Sequence, residues 1–209
     1  MRVVKRKRYQ PSIKEIYEQA KLTPVLVVIG GSHSYRMDNP QNIDYFGYHI
    51  EENDDITIGG GQWRGRYWNT TEPEIIPRIR TFGIDSIVPR LRGDLGDEAA
   101  MYCMDNWIWH TAILETEQAR QFRTTWVYPF LNPVFAIHYA QYAKALYIAY
   151  NNIKPGKIWD QILRIALTAK HLASTGELNC DFRWLKYKYD SNTLEYMVQL
   201  LEEIIGQVT

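Results

Sequence analysis

Glycine, serine and acidic or amide residues are concentrated between residues 29 and 47, which read IGGSHSYRMDNPQNIDYFG. Gly30 and Gly31 allow the chain to turn sharply and to approach a ligand closely. Ser32 follows where a helix would begin, and the free amide hydrogens of such a terminus bind anions. Strand-to-helix turns also contain glycine for geometric reasons alone, so this pair is by itself weak evidence for a phosphate site.

Asn42 and Asp44 lie two residues apart in a segment with the composition of a strand. Side chains at this spacing on a strand project from the same face, so one strand can present two ligands to a metal. Mg²⁺ prefers hard oxygen ligands and commonly binds one or two carboxylates. The amide oxygen of Asn42 can ligate a metal but carries no charge, so its site with Asp44 should bind more weakly than a pair of aspartates.

The order of these residues resembles the polymerase-β-like nucleotidyltransferase superfamily, and most of all its small predicted members found near RNA ligases. The family pattern of Gly-Ser, tyrosine, a turn with proline, a polar-X-Asp step and a glycine is matched by Gly31, Ser32, Tyr35, Pro40, Asp44 and Gly47. A second block, KPGKIWDQILRIALTAKHLASTGEL, is similar to the helical part of the same group. In that block Lys157 and Arg164 lie about two helical turns apart.

The resemblance implies binding of a nucleoside triphosphate with Mg²⁺ or Mn²⁺ and transfer of a nucleoside monophosphate to an acceptor, with RNA as one candidate. In such a site Gly31 and Ser32 would hold the β- and γ-phosphates, and Asp44 would bind the metal. Lys157 and Arg164 would contact the end of the triphosphate. His33 and Tyr35 complete the predicted nucleotide-binding set, although His33 is equally well explained as a support of the turn.

Asp85 is the candidate for the third carboxylate, which in this family comes from a later strand. It lies in GIDSIV, between a glycine and β-branched residues. An aspartate beside glycine is also a common turn residue, and that alternative stays open. The resemblance thus implies Asp44 and Asp85 as catalytic residues and Asn42, Asp44 and Asp85 as metal ligands.

Two residues depart from the family pattern. Asn42 replaces the first aspartate of the pair, and Arg36 replaces a common glycine and would place a cation near the triphosphate. The spacing around Pro40 is also one residue short. One alternative is therefore a catalytically impaired nucleotide- or RNA-binding module of the same fold. Another is a structural protein whose aromatic helices form an oligomer interface.

Three Arg-X-Arg pairs at 64/66, 78/80 and 90/92 favour either a basic groove for RNA or ordinary ion pairs with nearby acidic residues. Because 24 Lys and Arg balance 24 Asp and Glu, any attraction for nucleic acid must come from such local patches. Aromatic residues recur at helical spacing in the second half of the chain, which is typical of a buried core.

In the first part of the chain, helical periodicity over residues 12–20 predicts a short amphipathic helix. The apolar run PVLVVIG predicts a strand that is covered on both faces. Residues 43–50 predict a second strand and residues 56–58 a third. Prolines between positions 64 and 92 predict short strands and loops there.

After position 96 the composition becomes helical. Helices are predicted from Asp97 through Glu115 or beyond, from Pro133 to about Tyr150 and from Ile158 to Ser174, with Gly176 as the stop of the last. A final amphipathic run lies between residues 194 and 205. The pattern predicts an α+β protein, with a small mixed sheet in residues 1–96 as the nucleotidyltransferase-like core and a helical region in residues 97–209.

The composition predicts a globular cytoplasmic protein. No apolar stretch is long enough to cross a bilayer, and the basic start MRVVKRKRYQ has no apolar segment behind it, so we expect neither a membrane contact nor a secretion signal. Cys103 and Cys180 have no metal-ligand spacing and are too few for a disulfide scaffold, which favours a reducing compartment.

Overall fold

The computed structural model describes residues 22–37, 44–51, 66–68, 78–150 and 156–189, together with the helical positions 18, 199, 202, 203 and 206. The strands are β1 (Leu22–Gly30), β2 (Asp44–Glu51), β3 (Arg66–Trp68), β4 (Arg78–Gly83) and β5 (Thr111–Glu115). The helices are α1 (Ile87–Leu91), α2 (Asp97–Met104), α3 (Glu117–Phe122), α4 (Ala136–Ala149), α5 (Lys157–Thr175) and α6 (Phe182–Tyr189). The predicted first helix, the third strand at 56–58 and the last amphipathic run lie outside the described ranges, apart from isolated helical positions.

The five strands form one mixed sheet in the order β3-β4-β2-β1-β5. β1 is antiparallel to both β2 and β5, whereas β2 and β4 are parallel. The helices follow the first four strands, so the predicted α+β class with a small mixed sheet is confirmed.

β1 lies between β2 and β5 and is covered on both faces. Its residues Val25 to Val28 are completely buried. This explains why the run PVLVVIG is uniformly apolar rather than alternating, as is typical of a strand with no solvent-exposed face. The prediction of this strand is confirmed.

The predicted single helix from Asp97 to Glu115 is wrong. α2 ends at Met104, a π-helical turn covers Asp105–Trp109, and the chain then extends into β5. Residues 26 to 29 of β1 pair with this strand, and that pairing outweighs the local helical preference of the segment. A strand from the second part of the chain therefore completes the sheet formed by the first part.

The two long helices agree with their predicted positions. A 3₁₀ turn at Pro133–Phe135 leads into α4, and α5 ends at Gly176, which has a left-handed φ of 73°. Glycine adopts this conformation without the steric cost that a side chain would add. Apolar residues of the sheet and of the helices, from Val25 to Leu185, belong to one buried cluster.

Aromatic side chains contribute strongly to this core, as predicted. Trp107 and Tyr139 are buried, and Tyr48 packs against Trp107 with ring centroids 5.1 Å apart. Trp126 differs, because it is half exposed. Among the described residues, no helix is long and apolar enough to span a membrane.

Candidate functional site

The segment Gly31–Arg36 forms a tight turn at the end of β1. Three backbone hydrogen bonds close it, in which Ser34 N donates to Gly31 O at 3.1 Å, Arg36 N to His33 O at 3.1 Å and Met37 N to Ser32 O at 3.2 Å. The predicted helix start is therefore a single turn. The amides of Ser32 and His33 are not donors in these bonds, so the turn keeps the feature that binds anions at a helix terminus.

Two side-chain contacts hold the turn in place. The Ser34 hydroxyl donates to Ile29 O at 2.6 Å, and Trp109 Nε1 donates to Ser34 O at 3.2 Å. The hydroxyl of Ser32 is buried and has no hydrogen-bond partner within the described part of the chain. Because a buried hydroxyl without a partner is costly, a ligand that supplies one would be stabilised at this position.

A cavity of about 150 Å³ lies beside this turn. Gly31, Ser32 and Tyr35 line it from the turn, and Asp44 lines it from the start of β2. The antiparallel register explains the proximity, because Asp44 pairs with Gly30, the residue just before the turn. The remaining lining residues are Met37, Phe46, Tyr102, Lys157, Gln161 and Arg164.

α5 provides the cationic wall of this cavity. Lys157, Gln161 and Arg164 are spaced by four and three residues, so they lie along one face of the helix. Lys157 is exposed, whereas Arg164 is completely buried. The two sequence blocks that suggested a nucleotide site, separated by more than a hundred residues, thus meet in one cavity.

Arg164 is a buried cation with unused donors. Its guanidinium stacks 3.6 Å from the centroid of the Tyr35 ring, and Nη1 lies 3.8 Å from Asp105 Oδ2, beyond hydrogen-bond distance. Nε and Nη1 have no hydrogen-bond partner among the residues that the structure describes. A guanidinium in this state binds two oxygens of a phosphate well, because its planar fork is already positioned.

Asp105 is the buried acid beneath this wall, and the sequence reasoning missed it. Its carboxylate accepts hydrogen bonds from Tyr35 Oη at 2.6 Å and Tyr139 Oη at 2.5 Å, and Cys180 Sγ lies 3.3 Å away. Burial first, and then the negative charge of Asp105, raise the pKa of Tyr35 well above its ordinary value. A lone acid within the apolar run MYCMDNWIW was the available signal.

Tyr35 and His33, both predicted to bind nucleotide, have different positions. The Tyr35 ring lines the cavity, but its hydroxyl is engaged by Asp105, so Tyr35 supports Arg164. His33 is exposed and does not line the cavity, which favours its alternative interpretation as a residue of the turn.

Asp85 does not share a site with Asp44, which corrects that prediction. β2 and β4 are parallel, with Asp44 opposite Arg78 and His49 opposite Gly83. Asp85 follows Gly83 in an exposed 3₁₀ turn, so it lies beyond the opposite end of the sheet from Asp44. The residue of β4 in register with Asp44 is Arg78, not an acid. Asn42, the other predicted metal ligand, lies outside the described residues.

Arg36 is turned away from the cavity, contrary to expectation. Its φ is 50°, the left-handed conformation that glycine adopts more readily than residues with a side chain. Its Nη1 forms a salt bridge of 2.9 Å with Asp181 Oδ2. The cation therefore pairs with the segment before α6 and does not line the cavity.

No family model, curated protein or solved structure matches this chain. The resemblance to nucleotidyltransferases thus has no support beyond the residues themselves. The support for the site is its geometry.

The metal implied by the resemblance fits the described residues only through Asp44. These residues contain no group of three or more His, Cys, Asp or Glu that could hold a metal ion. The cavity presents one carboxylate among its lining residues, beside two cations. Mg²⁺ often binds one carboxylate together with phosphate oxygens and waters, so the donor set suits a metal that arrives with a triphosphate.

The third Arg-X-Arg pair is explained by packing and ion pairing. Arg90 is buried with its guanidinium 4.1 Å from the Phe82 ring centroid, and Arg92 Nη2 lies 2.9 Å from Asp94 Oδ2. Arg64 lies outside the described ranges, whereas Arg66, Arg78 and Arg80 belong to the outer strands β3 and β4. The described part of the chain thus shows the ion-pair alternative for Arg92, whereas Arg90 is packed against an aromatic ring.

Stability should fall in mild acid because of His110, which packs against Tyr35 and Phe46 beside the cavity. Burial lowers the pKa of His110 to about 4, below its ordinary value near 6.5. Between these values the unfolded chain binds a proton that the folded chain excludes, so stability decreases as the pH falls. The loss from this group should reach about 2 kcal/mol at pH 5.

Urea unfolding of the wild type and of His110→Leu between pH 7 and pH 5 tests this expectation. The variant should have a smaller pH slope of unfolding free energy, whatever its absolute stability. His171, whose pKa is lowered by burial and by Lys188, is present in both proteins, so the comparison isolates His110. Equal slopes would contradict the assignment.

Proposed function

We propose that the cavity binds the phosphate chain of a nucleoside triphosphate together with Mg²⁺, and that the protein transfers the nucleoside monophosphate to an acceptor. The observation that carries this proposal is the meeting of the Gly31–Ser32 turn, Asp44, Lys157 and Arg164 around one cavity. Both sequence blocks that carry the likeness therefore contribute residues to the same cavity.

The charges of the cavity suit a polyanion with a divalent ion. Lys157 and Arg164 provide two cations, and Asp44 provides one carboxylate. Transfer of a nucleotidyl group requires little covalent chemistry from the protein, because positioning and charge neutralisation lower most of the barrier. In this arrangement Lys157 and Arg164 would neutralise the charge of the leaving pyrophosphate, and Asp44 would hold the metal.

The size of the cavity favours the phosphate chain over the whole nucleotide. Pockets for drug-sized ligands commonly have volumes from about 300 Å³. The cavity measures about 150 Å³, so the phosphates fit and the nucleoside extends beyond the described walls. The Ser32 hydroxyl and the unused donors of Arg164 are the groups that a phosphate would satisfy.

A nucleotide-binding module without catalysis is the second candidate. The observation that favours it is the single carboxylate among the lining residues, with Arg78 rather than an acid in register with Asp44 on the neighbouring strand. Such a module would bind the triphosphate and its metal ion but would release no pyrophosphate.

Thermal unfolding with each of the four ribonucleoside triphosphates, with and without Mg²⁺, tests binding. A ligand at a hundred times its dissociation constant should add about 2.7 kcal/mol of stability, or roughly 5–10 °C for a chain of this size. A pyrophosphate-release assay on the same samples separates the two candidates. No shift with any triphosphate would refute both and favour the structural, oligomeric alternative, which predicts a concentration-dependent dimer.

A further inference from the structure

α6 has the sequence FRWLKYKY, with three cationic and four aromatic residues and no acidic one. Phe182 and Leu185 are completely buried and fix the orientation of the helix on the core. The apolar side of α6 is therefore already used for packing within the chain.

The outer side of α6 combines cations with aromatic rings. Arg183, Trp184, Tyr187 and Lys188 are exposed, and they share one broad side of the helix because Arg183 and Tyr187, like Trp184 and Lys188, are four residues apart. Tyr187 has 89% of its surface exposed, and Lys188 Nζ lies 4.7 Å from the centroid of the Trp184 ring. Tyrosine is usually at least partly buried in folded proteins, so an exposure this large is unusual.

Neighbouring groups extend the positive charge of this surface. Lys170 of α5 lies 5.4 Å from the Tyr189 ring, and Lys186 lies 5.1 Å from the Phe182 ring. The acid just before α6, Asp181, is engaged by Arg36 and caps the helix through Trp184 N. The segment 181–189 thus contains three cations, Arg183, Lys186 and Lys188, and one acid, Asp181.

α6 begins at the wall of the proposed nucleotide cavity. Phe182 N donates a hydrogen bond of 2.9 Å to the carbonyl oxygen of Tyr35, whose ring lines that cavity. The salt bridge between Arg36 and Asp181 joins the same two segments. A linear polymer bound along α6 would thus have one end close to the cavity.

We propose that the exposed face of α6, formed by Arg183, Trp184, Tyr187 and Lys188, binds single-stranded nucleic acid. The cations contact phosphates, and the rings of Trp184 and Tyr187 stack on bases, the combination used by proteins that bind single strands without sequence preference. The idea that this nucleic acid is the acceptor for nucleotidyl transfer rests on the proposed function. The binding of the nucleic acid to α6 does not depend on it.

The same face does not suit a lipid bilayer. Helices that lie in the membrane interface insert a broad apolar face below the headgroups. In α6 that face consists of Phe182 and Leu185, which are buried in the protein. The two exposed rings, Trp184 and Tyr187, are flanked by the cations Arg183 and Lys188, so the apolar area that they offer is small.

Fluorescence anisotropy of labelled single-stranded oligonucleotides of about 12 nucleotides, one of RNA and one of DNA, tests the proposal at several salt concentrations. The double variant Arg183→Gln/Lys188→Gln should weaken binding and reduce the salt slope by about 1.4, because each phosphate contact on a single strand contributes about 0.7. Arg92→Gln/Lys144→Gln removes the same charge from exposed positions elsewhere and should bind like the wild type.

Tyr187→Ser tests the stacking contribution separately. It should weaken binding about five-fold or more, since base stacking on an aromatic ring is worth at least that factor. Tyr128→Ser is the matched control, because Tyr128 is also exposed but belongs to the 3₁₀ turn Tyr128–Phe130 and not to α6. Equal losses in both members of a pair, or binding of phosphatidylserine vesicles in place of oligonucleotides, would overturn the proposal.

The result can be separated from the fate of the proposed function. Asp44→Asn should leave oligonucleotide binding unchanged, and Arg183→Gln/Lys188→Gln should leave the triphosphate-induced thermal shift unchanged. A normal thermal shift without oligonucleotide binding would overturn the role of α6 alone. Oligonucleotide binding without a thermal shift would uphold it and refute the nucleotide cavity. A difference between the RNA and DNA probes identifies the sugar that the surface prefers.

Discussion

Replacing Asp44 with asparagine is expected to lower Mg²⁺-dependent pyrophosphate release by about a thousand-fold. Asp44 is the carboxylate that lines the cavity between the Gly31 turn and the cations of α5. Asparagine keeps the shape of the side chain but removes the charge that would hold the metal against the phosphates. Stabilisation of the transition state by such a metal is worth several kcal/mol, and about 4 kcal/mol corresponds to a factor of about a thousand.

Asp85→Asn is the matched control for this substitution. It removes an exposed carboxylate that lies beyond the opposite end of the parallel pair β2 and β4. Its pyrophosphate release should equal that of the wild type. The Mg²⁺-dependent part of the thermal shift should disappear in Asp44→Asn and persist in Asp85→Asn. An equal loss of turnover in both variants would contradict the placement of the metal at Asp44.

Much of the fold could be predicted from local sequence. The buried strand β1 was apparent because its seven-residue run is apolar throughout. α4 and α5 were apparent because Pro133 and Gly176 stand where a proline can open a helix and a glycine can end one. These signals are carried by a few neighbouring residues, and the backbone conformation that they require does not depend on distant contacts.

The features that could not be predicted depend on pairing between distant segments. β5 is a strand because it pairs with β1, and nothing within Thr111–Glu115 distinguishes it from the end of a helix. The prediction for Asp85 was wrong because the parallel orientation of β2 and β4 cannot be inferred from the sequence. Arg36 was expected near the phosphates because it takes the place of the family's glycine, and its pairing with Asp181 could not be predicted because Asp181 is far along the chain.

The candidate site was predictable in part for the same reason. Gly31, Ser32 and Asp44 lie close in sequence, and their order was informative. Lys157 and Arg164 were predicted from a separate block, and only the packing of α5 against the turn brings them into the cavity. Asp105 has partners at positions 35, 139, 164 and 180, so its role follows from the assembled core alone.

Asp105→Asn is expected to destabilise the fold by about 3–5 kcal/mol, the usual cost of removing one member of a buried charged pair. Arg164 is fully buried. Within the described part of the chain, the acid that forms an ion pair with its guanidinium is Asp105. Asparagine would remove the negative charge that forms this buried ion pair within the described part of the chain. Its amide group would also face two tyrosine hydroxyls that now donate to a carboxylate.

Urea unfolding at pH 7 measures this loss, and Asp94→Asn provides the comparison. Asp94 also pairs with an arginine, Arg92, but both side chains are substantially exposed, so its loss should cost no more than about 1 kcal/mol. Adding Arg164→Met to Asp105→Asn should recover part of the stability, because the uncompensated charge is then gone. The double variant should still have lost the triphosphate-induced thermal shift, since Arg164 lines the cavity. Recovery of stability without recovery of binding would show that Asp105 compensates the buried charge of Arg164 and that Arg164 is needed to bind the triphosphate.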